Sequence, residues 1–137
     1  MALVLDTGVL YAALDRHDGA HAACRGLLEG ATEALVLPSP ILPEVDYWVS
    51  KALGAGAMIA LLADIERGAF RVEDLVDVDY RRISEVLDKY SDQDVGFVDA
   101  AVLAVTERLE EKKVATLDRR HFAVLRTRNG RTLKLVP

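Results

Sequence analysis

A single cysteine, Cys24, leaves the 137 residues with no disulfide of their own, which fits a reducing compartment. The thiol reads as a small buried hydrophobe. Aromatic residues are few, with one Trp, three Phe and four Tyr, so the core falls to Ala, Val and Leu as in helix-rich α/β proteins. No run approaches the roughly 20 apolar residues of a membrane span, and residues 1–5 lack the basic start and long apolar stretch of a secretory leader. A cytoplasmic protein is expected. The three histidines, His17, His21 and His121, have no cysteine or histidine at zinc-ligand spacing except the loose pair His17 and His21, which reads as exposed polar residues.

What is present is a chain that is 51% hydrophobic and of a length that suits one domain with one core. Its net charge of -5 argues at first against a polyanionic partner. The charge is segregated, however. Residues 112–137 hold Lys112, Lys113, Arg119, Arg120, Arg126, Arg128, Arg131 and Lys134 against the single acid Asp118, a balance of +7 that leaves -12 on the remainder. Such a tail can attract phosphates locally, although a solvated strand and turn would look the same.

The apolar run Ala2–Leu5, closed by Asp6, predicts a buried strand that delivers an aspartate at its end. Helical spacing follows over Thr7–Leu14 and 20–29, with Asp18 as an N-cap and Gly30 as a stop. Residues 35–37 form a second apolar run. Ser39 and Pro40 then open a helix that tolerates Pro43 in its first turn, where backbone N–H groups have no helical partner, and this sets Glu44 near a helix N-terminus. That helix carries Val45, Trp48, Val49 and Ala52 on one face and stops at Gly54; a second spans 57–66 before Gly68. A third strand at 70–72, a helix at 80–90, a polar loop at 91–96 and a helix at 97–109 with Asp99 in its first turn come next. Residues 114–117 predict a strand ending on Asp118, and 133–136 a last strand. Strands separated by helical patterns specify an α/β sandwich with a largely parallel sheet.

Open α/β sheets bind ligands outside the carboxyl ends of their strands, near helix N-termini. Asp6, Glu44, Asp99 and Asp118 all fall at such places. Each also has an ordinary use, since an aspartate before a helix caps it and an acid in a first turn gains about 0.3–1 kcal/mol from the helix dipole. Four carboxylates on one rim repel one another unless a cation neutralises them, and the hard, oxygen-seeking ions Mg²⁺ or Mn²⁺ suit such a set.

The acids stand in ordered motifs: Val4-Leu5-Asp6-Thr7, Leu42-Pro43-Glu44-Val45, Tyr90-Ser91-Asp92 leading to Gly96-Phe97-Val98-Asp99-Ala100, and Thr116-Leu117-Asp118-Arg119-Arg120-His121-Phe122. Over essentially the whole chain this set resembles the PIN-domain signature of VapC-type toxins from type II toxin–antitoxin systems. The resemblance implies a three-layer α/β/α sandwich with a central, mainly parallel sheet, in a single domain spanning residues 1–137. It implies a Mg²⁺-dependent (or Mn²⁺-dependent) endoribonuclease that cuts structured RNA of the translation machinery, a tRNA or an rRNA loop, and so inhibits translation. Carried over by position, Asp6, Glu44 and Asp99 match the metal-binding acids and Asp118 the fourth, more variable one. Thr7 and Thr116 match hydroxyl positions beside the pocket, and Asp92 an acid of the loop before the Asp99 helix; capping is the competing use of all three. Pro43 departs from the small residue expected before the glutamate. A cognate VapB-type antitoxin and a homodimer are further implications.

No Ser, Cys or His nucleophile accompanies the acids, which leaves water as the attacking group. Phosphodiester hydrolysis of this kind commonly uses two ions about 3.5–4 Å apart. Asp6 and Asp99 are expected to hold the first, with Glu44 and Asp118 completing the site or positioning the water, and with 5′-phosphate and 3′-hydroxyl products. Arg119, Arg120, Arg126, Arg128 and Arg131 are expected to grip phosphates beside the acids. In the helical hairpin, Tyr47, Trp48, Met58, Ile59 and Leu62 exceed what one core-facing stripe needs, and an antitoxin groove competes there with simple burial. Three rival readings remain: a phosphoryl-accepting receiver, which would open with paired acids and carry a late-strand lysine; an aspartyl phosphatase, which would have an aspartate where Gly8 stands; and a PIN-like module that binds RNA without cutting it.

Overall fold

The computed structural model describes residues 1–137 and places the first apolar run, β1 (Ala2–Leu5), in the middle of the sheet, buried at every position. A four-residue strand with no polar side chain survives only where both faces are covered, as in a parallel sheet between helices. The other strands are β2 (Ala34–Pro38), β3 (Arg71–Glu73), β4 (Lys113–Ala115) and β5 (Lys134–Val136), in the order β3-β2-β1-β4-β5. Every pairing is parallel.

Seven helices connect and cover the strands: α1 (Thr7–Leu14), α2 (His21–Gly30), α3 (Ile41–Leu53), α4 (Ala55–Glu66), α5 (Asp77–Lys89), α6 (Phe97–Arg108) and α7 (Arg119–Val124). Helix α1 packs on α2 and α3, and α3 on α4; separately, α5 packs on α6. The chain steps outward from β1 to β2 and β3 through the first set and crosses back to β4 through the second, so that helical crossovers join the parallel strands. Helix α6 is buried continuously from Ala100 to Thr106 and touches both β1 and β2. Its small residues allow that close approach, and the Thr106 hydroxyl stays satisfied by donating to the Val102 carbonyl at 2.7 Å. No helix is long and apolar enough to cross a membrane.

Differences from expectation have local causes. Pro43 is the third residue of α3, where its missing N–H is one of the groups that no helix satisfies, so the helix opens at Ile41. Helix α4 begins at Ala55 rather than two residues later, because Gly54, at φ 83°, alone makes the junction and Gly56 is held inside the helix. Helix α5 begins at Asp77, three residues early. Asp79 accepts the Val76 N–H at 2.9 Å and is buried against Arg108, 3.0 Å away, a tertiary contact invisible in the local pattern. Strand β4 stops at Ala115, and residues 119–124, part of the basic tail for which no helix was expected, form α7.

Candidate active site

Strand order reverses between β1 and β4, and a parallel sheet leaves a crevice at such a point, beyond the carboxyl ends of the two strands. Their register pairs Leu5 with Ala115, and the Asp6 N–H donates to the Ala115 carbonyl at 2.9 Å. Asp6 and Thr116 therefore leave the sheet side by side. The Thr116 hydroxyl donates to Asp6 Oδ2 at 2.8 Å, while Asp6 Oδ1 accepts the Thr7 N–H at 2.9 Å and caps α1. Both Asp6 and Thr116 are buried.

Two more acids reach the same crevice. Asp99 lies in the first turn of α6, and Asp118 caps α7, its Oδ1 accepting the His121 N–H at 3.1 Å. Asp118 is tied back in turn, because its own N–H donates to Thr116 Oγ1 at 2.9 Å. Glu44, in the first turn of α3, accepts the Thr7 hydroxyl at 2.6 Å. Capping and lining the cleft are thus not alternatives: Asp6 and Asp118 each spend one oxygen on a helix N-terminus, while Asp6 Oδ2 takes the Thr116 hydroxyl and Asp118 Oδ2 meets the His121 ring. An open cleft of about 600 Å³ collects Asp6, Thr7, Glu44, Asp99 and Asp118, together with Gly8, Tyr11, Trp48, Leu117 and His121.

The electrostatics follow from that crowding. Burial, helped by the charges of Asp99 and Asp118, pushes the Asp6 carboxyl up to about 6 against the opposing hydrogen bonds from Thr116 and Thr7. Asp99 is also raised, first by burial and then by Asp118, with a smaller contribution from Glu44. Carboxylates held against their own repulsion are the donor chemistry that a hard divalent cation takes. The residues present fit such an ion.

His121 is the member that reading the sequence missed. Its Nδ1 lies 2.8 Å from Asp118 Oδ2 and 3.1 Å from Asp99 Oδ2. The only local signal was the three-residue spacing from Asp118, meaningful once α7 is known to be helical. His17 is exposed and its backbone N–H meets Asp15, while His21 Nδ1 meets the Ala12 carbonyl; neither lines the cleft.

Other singled-out residues lie elsewhere. Asp92 sits exposed in the turn before α6 and does not line the cleft. Arg119 and Arg120 open α7 directly after Asp118, with the Arg119 guanidinium donating to the Pro137 carbonyl. Arg126 turns back onto the Ala123 carbonyl at 2.7 Å. Arg128 and Arg131 line a different cleft with Arg82, Glu107 and Arg108, and Arg128 pairs with Glu85 at 3.2 Å. That cleft lies at the last turn of α6, eight residues or about 12 Å along the helix from Asp99. On the α3–α4 hairpin, Tyr47, Trp48, Ile59 and Leu62 are each at least half exposed, while Met58 is partly buried and Leu61 supplies the inward contact. Trp48 meets Tyr47 edge to face at 5.0 Å and also forms part of the acidic cleft's wall, so the apolar face and the cleft are continuous.

Known proteins share this architecture. Residues 3–126 match the PIN domain family. The chain is 30% identical over 135 residues to "Ribonuclease VapC26" of Mycobacterium tuberculosis (strain ATCC 25618 / H37Rv), covering 98% of this chain and 100% of that protein. Among solved structures, VapC20 of Mycobacterium tuberculosis, a sarcin-ricin loop cleaving toxin, superposes with a TM-score of 0.82 at 19% identity over 98% of this chain and 99% of that one. VapBC2 from Rickettsia felis, bound to a DNA fragment from their promoter, superposes with a TM-score of 0.70 at 16% identity over 98% and 97%. At these identities the two structures establish the shared fold.

Proposed function

This chain belongs to the PIN domain family, and from that premise we propose that it is a metal-dependent endoribonuclease, the toxin of a type II toxin–antitoxin pair, acting as a single domain. The observation that carries the reading is the convergence of Asp6, Glu44, Asp99 and Asp118, from four separate elements, on one cleft at the switch point of the sheet. Membership of this family sets aside the receiver and phosphatase readings.

Asp6, Asp99 and Asp118, together with Glu44 in the same cleft, are the residues that would hold the ion. A bound divalent ion, Mg²⁺ or Mn²⁺, would supply the positive charge that lowers the pKa of an attacking water and offsets charge on the leaving oxygen. The chain's own part is orientation. Thr116 holds the Asp6 carboxylate from one side and the Thr7 amide from the other, so both oxygens have a set direction before substrate arrives. The Thr7 hydroxyl does the same for Glu44. Arg119 and Arg120 follow Asp118 directly, and that adjacency supports a proposed role in meeting the phosphate of a substrate, although neither side chain lines the cleft and the Arg119 guanidinium donates to the Pro137 carbonyl.

The substrate class we propose is structured RNA of the translation machinery, a tRNA or an exposed rRNA loop, whose unpaired bases can splay into an open cleft; a relative of the same fold cleaves the sarcin-ricin loop. A VapB-type antitoxin is the proposed partner, supported by likeness to a toxin–antitoxin pair and by the exposed apolar face of α3 and α4 that runs into the cleft. A homodimer is proposed on family grounds.

The test is cleavage of total cellular RNA by purified protein with Mg²⁺ or Mn²⁺, alongside EDTA and the Asp6→Asn and Asp99→Asn variants. Discrete fragments bearing 5′-phosphate ends, absent with EDTA and in both variants, are expected. Cyclic 2′,3′-phosphate ends would overturn the hydrolytic mechanism, and RNA binding without cleavage would make the protein a binding module.

A further inference from the structure

The imidazole of His121 occupies an unusual position for a side chain with no assigned role. One nitrogen, Nδ1, stands within hydrogen-bond distance of two carboxylates from different elements, 2.8 Å from Asp118 Oδ2 and 3.1 Å from Asp99 Oδ2. A nitrogen carries at most one proton there and cannot donate fully to both. The side chain is about one-fifth exposed, packed into the cleft rather than extended into water.

The separations match another chemistry. Two donors bound to one ion at about 2.1 Å, with a right angle between them, lie about 3 Å apart. The two His121 distances match adjacent positions on one ion, and the donor atoms of Asp99, Asp118 and His121 form one group within 4.8 Å of one another. The backbone holds the arrangement ready. Asp118 Oδ1 accepts the His121 N–H, and this fixes Oδ2 on the side of Nδ1 while the Thr116 hydroxyl anchors the Asp118 amide. Aspartate and histidine three residues apart on a helix project from the same face.

We infer that His121 is a nitrogen ligand of the ion held by Asp99 and Asp118, so that the centre is a mixed nitrogen and oxygen site and prefers Mn²⁺ to Mg²⁺. The inference rests on the metal-dependent reading proposed above. The preference follows from ligand chemistry: Mg²⁺ takes oxygen donors and sheds its waters reluctantly, whereas first-row transition ions accept imidazole readily.

Electron paramagnetic resonance of Mn²⁺ added to the full-length protein tests this without relying on cleavage. Electron spin-echo modulation from a directly bound ¹⁴N is expected in the wild type, replaced by ¹⁵N features in protein grown on ¹⁵N-histidine, and lost in His121→Gln. Labelling leaves the fold untouched, and the variant separates His121 from His17 and His21. Free-Mn²⁺ titrations should show His121→Gln weakening Mn²⁺ binding on the order of tenfold or more, with a smaller loss for competing Mg²⁺. Mn²⁺ bound with no nitrogen modulation, and equally tightly by the variant, would overturn the ligand assignment while leaving a metal-dependent nuclease intact. If the wild type bound no Mn²⁺ at all, both the inference and the metal reading beneath it would fall.

Discussion

Thr116 sits between Asp6 and Asp118: its hydroxyl donates to Asp6 Oδ2 at 2.8 Å and accepts the Asp118 N–H at 2.9 Å. One buried hydroxyl thus links the end of β1 to the start of α7 and sets the direction of two of the four acids. Its hydrogen bond also stabilises the ionised form of Asp6 and partly offsets burial. Thr116→Val, nearly isosteric, should push the Asp6 carboxyl further above its ordinary range. The acid limb of the kcat/KM profile should then move to higher pH, with a loss of about tenfold or more at neutral pH, and Thr116→Ser should restore most of it. A pH profile of RNA cleavage for the three proteins decides; an unshifted limb in the valine variant would show that Thr116 is only a packing residue.

Asp6 should destabilise the metal-free protein at neutral pH. Its folded-state pKa, about 6, lies above the unfolded value of 3.8, so the folded chain holds this proton more tightly. The stability so gained is fully present below pH 3.8 and is lost as pH rises through about 6. The difference corresponds to about 3 kcal/mol at most. Metal-free Asp6→Asn should therefore melt higher than wild type at pH 7.5, with the gap closing toward pH 4, while its cleavage activity is abolished. Divalent ions should stabilise the wild type more above pH 6 than below. Thermal melts in EDTA across this range measure it.

The basic residues should divide by position. Arg119 and Arg120 adjoin Asp118, whereas Arg128 is paired with Glu85 and lines another cleft with Arg131. Arg120→Ala should weaken RNA binding at low salt and lessen the slope of log Kd against log salt by about 0.7, one contact's worth for single-stranded RNA. Arg128→Ala should leave that slope unchanged. Filter binding over a salt series distinguishes them, and equal effects from both would extend the phosphate track beyond the cleft.

Ile59 and Leu62 are exposed on α4, and no core contact accounts for them. Ile59→Glu should leave folding and RNA cleavage intact while weakening binding of the cognate antitoxin on the order of tenfold or more, since a charge buried in an apolar contact costs several kcal/mol unless paired. Titration calorimetry with the antitoxin, together with a cleavage assay of the free toxin, provides both halves of the comparison.

Short-range pattern was enough for much of this protein. The apolar run that ends on Asp6, the proline tolerated in the first turn of α3 and the apolar spacing of α6 are local signals, because strand burial, backbone N–H loss and helical periodicity act over a few residues. They located all four acids at element ends. Where local and tertiary forces compete, the pattern misled: Asp77 to Asp79 look like loop until Arg108 takes up the buried Asp79, and the basic run after Asp118 looks like an open tail although it contains α7.

What the sequence by itself determined is the set of elements and which acids stand at their ends. What only the tertiary structure decided is company. Asp6 and Thr116 are 110 residues apart and meet because β1 pairs with β4 in one register. His121 acquires Asp99 as a neighbour because α7 folds back over the start of α6, and Arg128 and Arg131 are carried away to that helix's far end. Periodicity reports which face of an element is buried, but the pairing of strands and the packing of helices are set by long-range burial, and a catalytic cleft is made of those long-range neighbours.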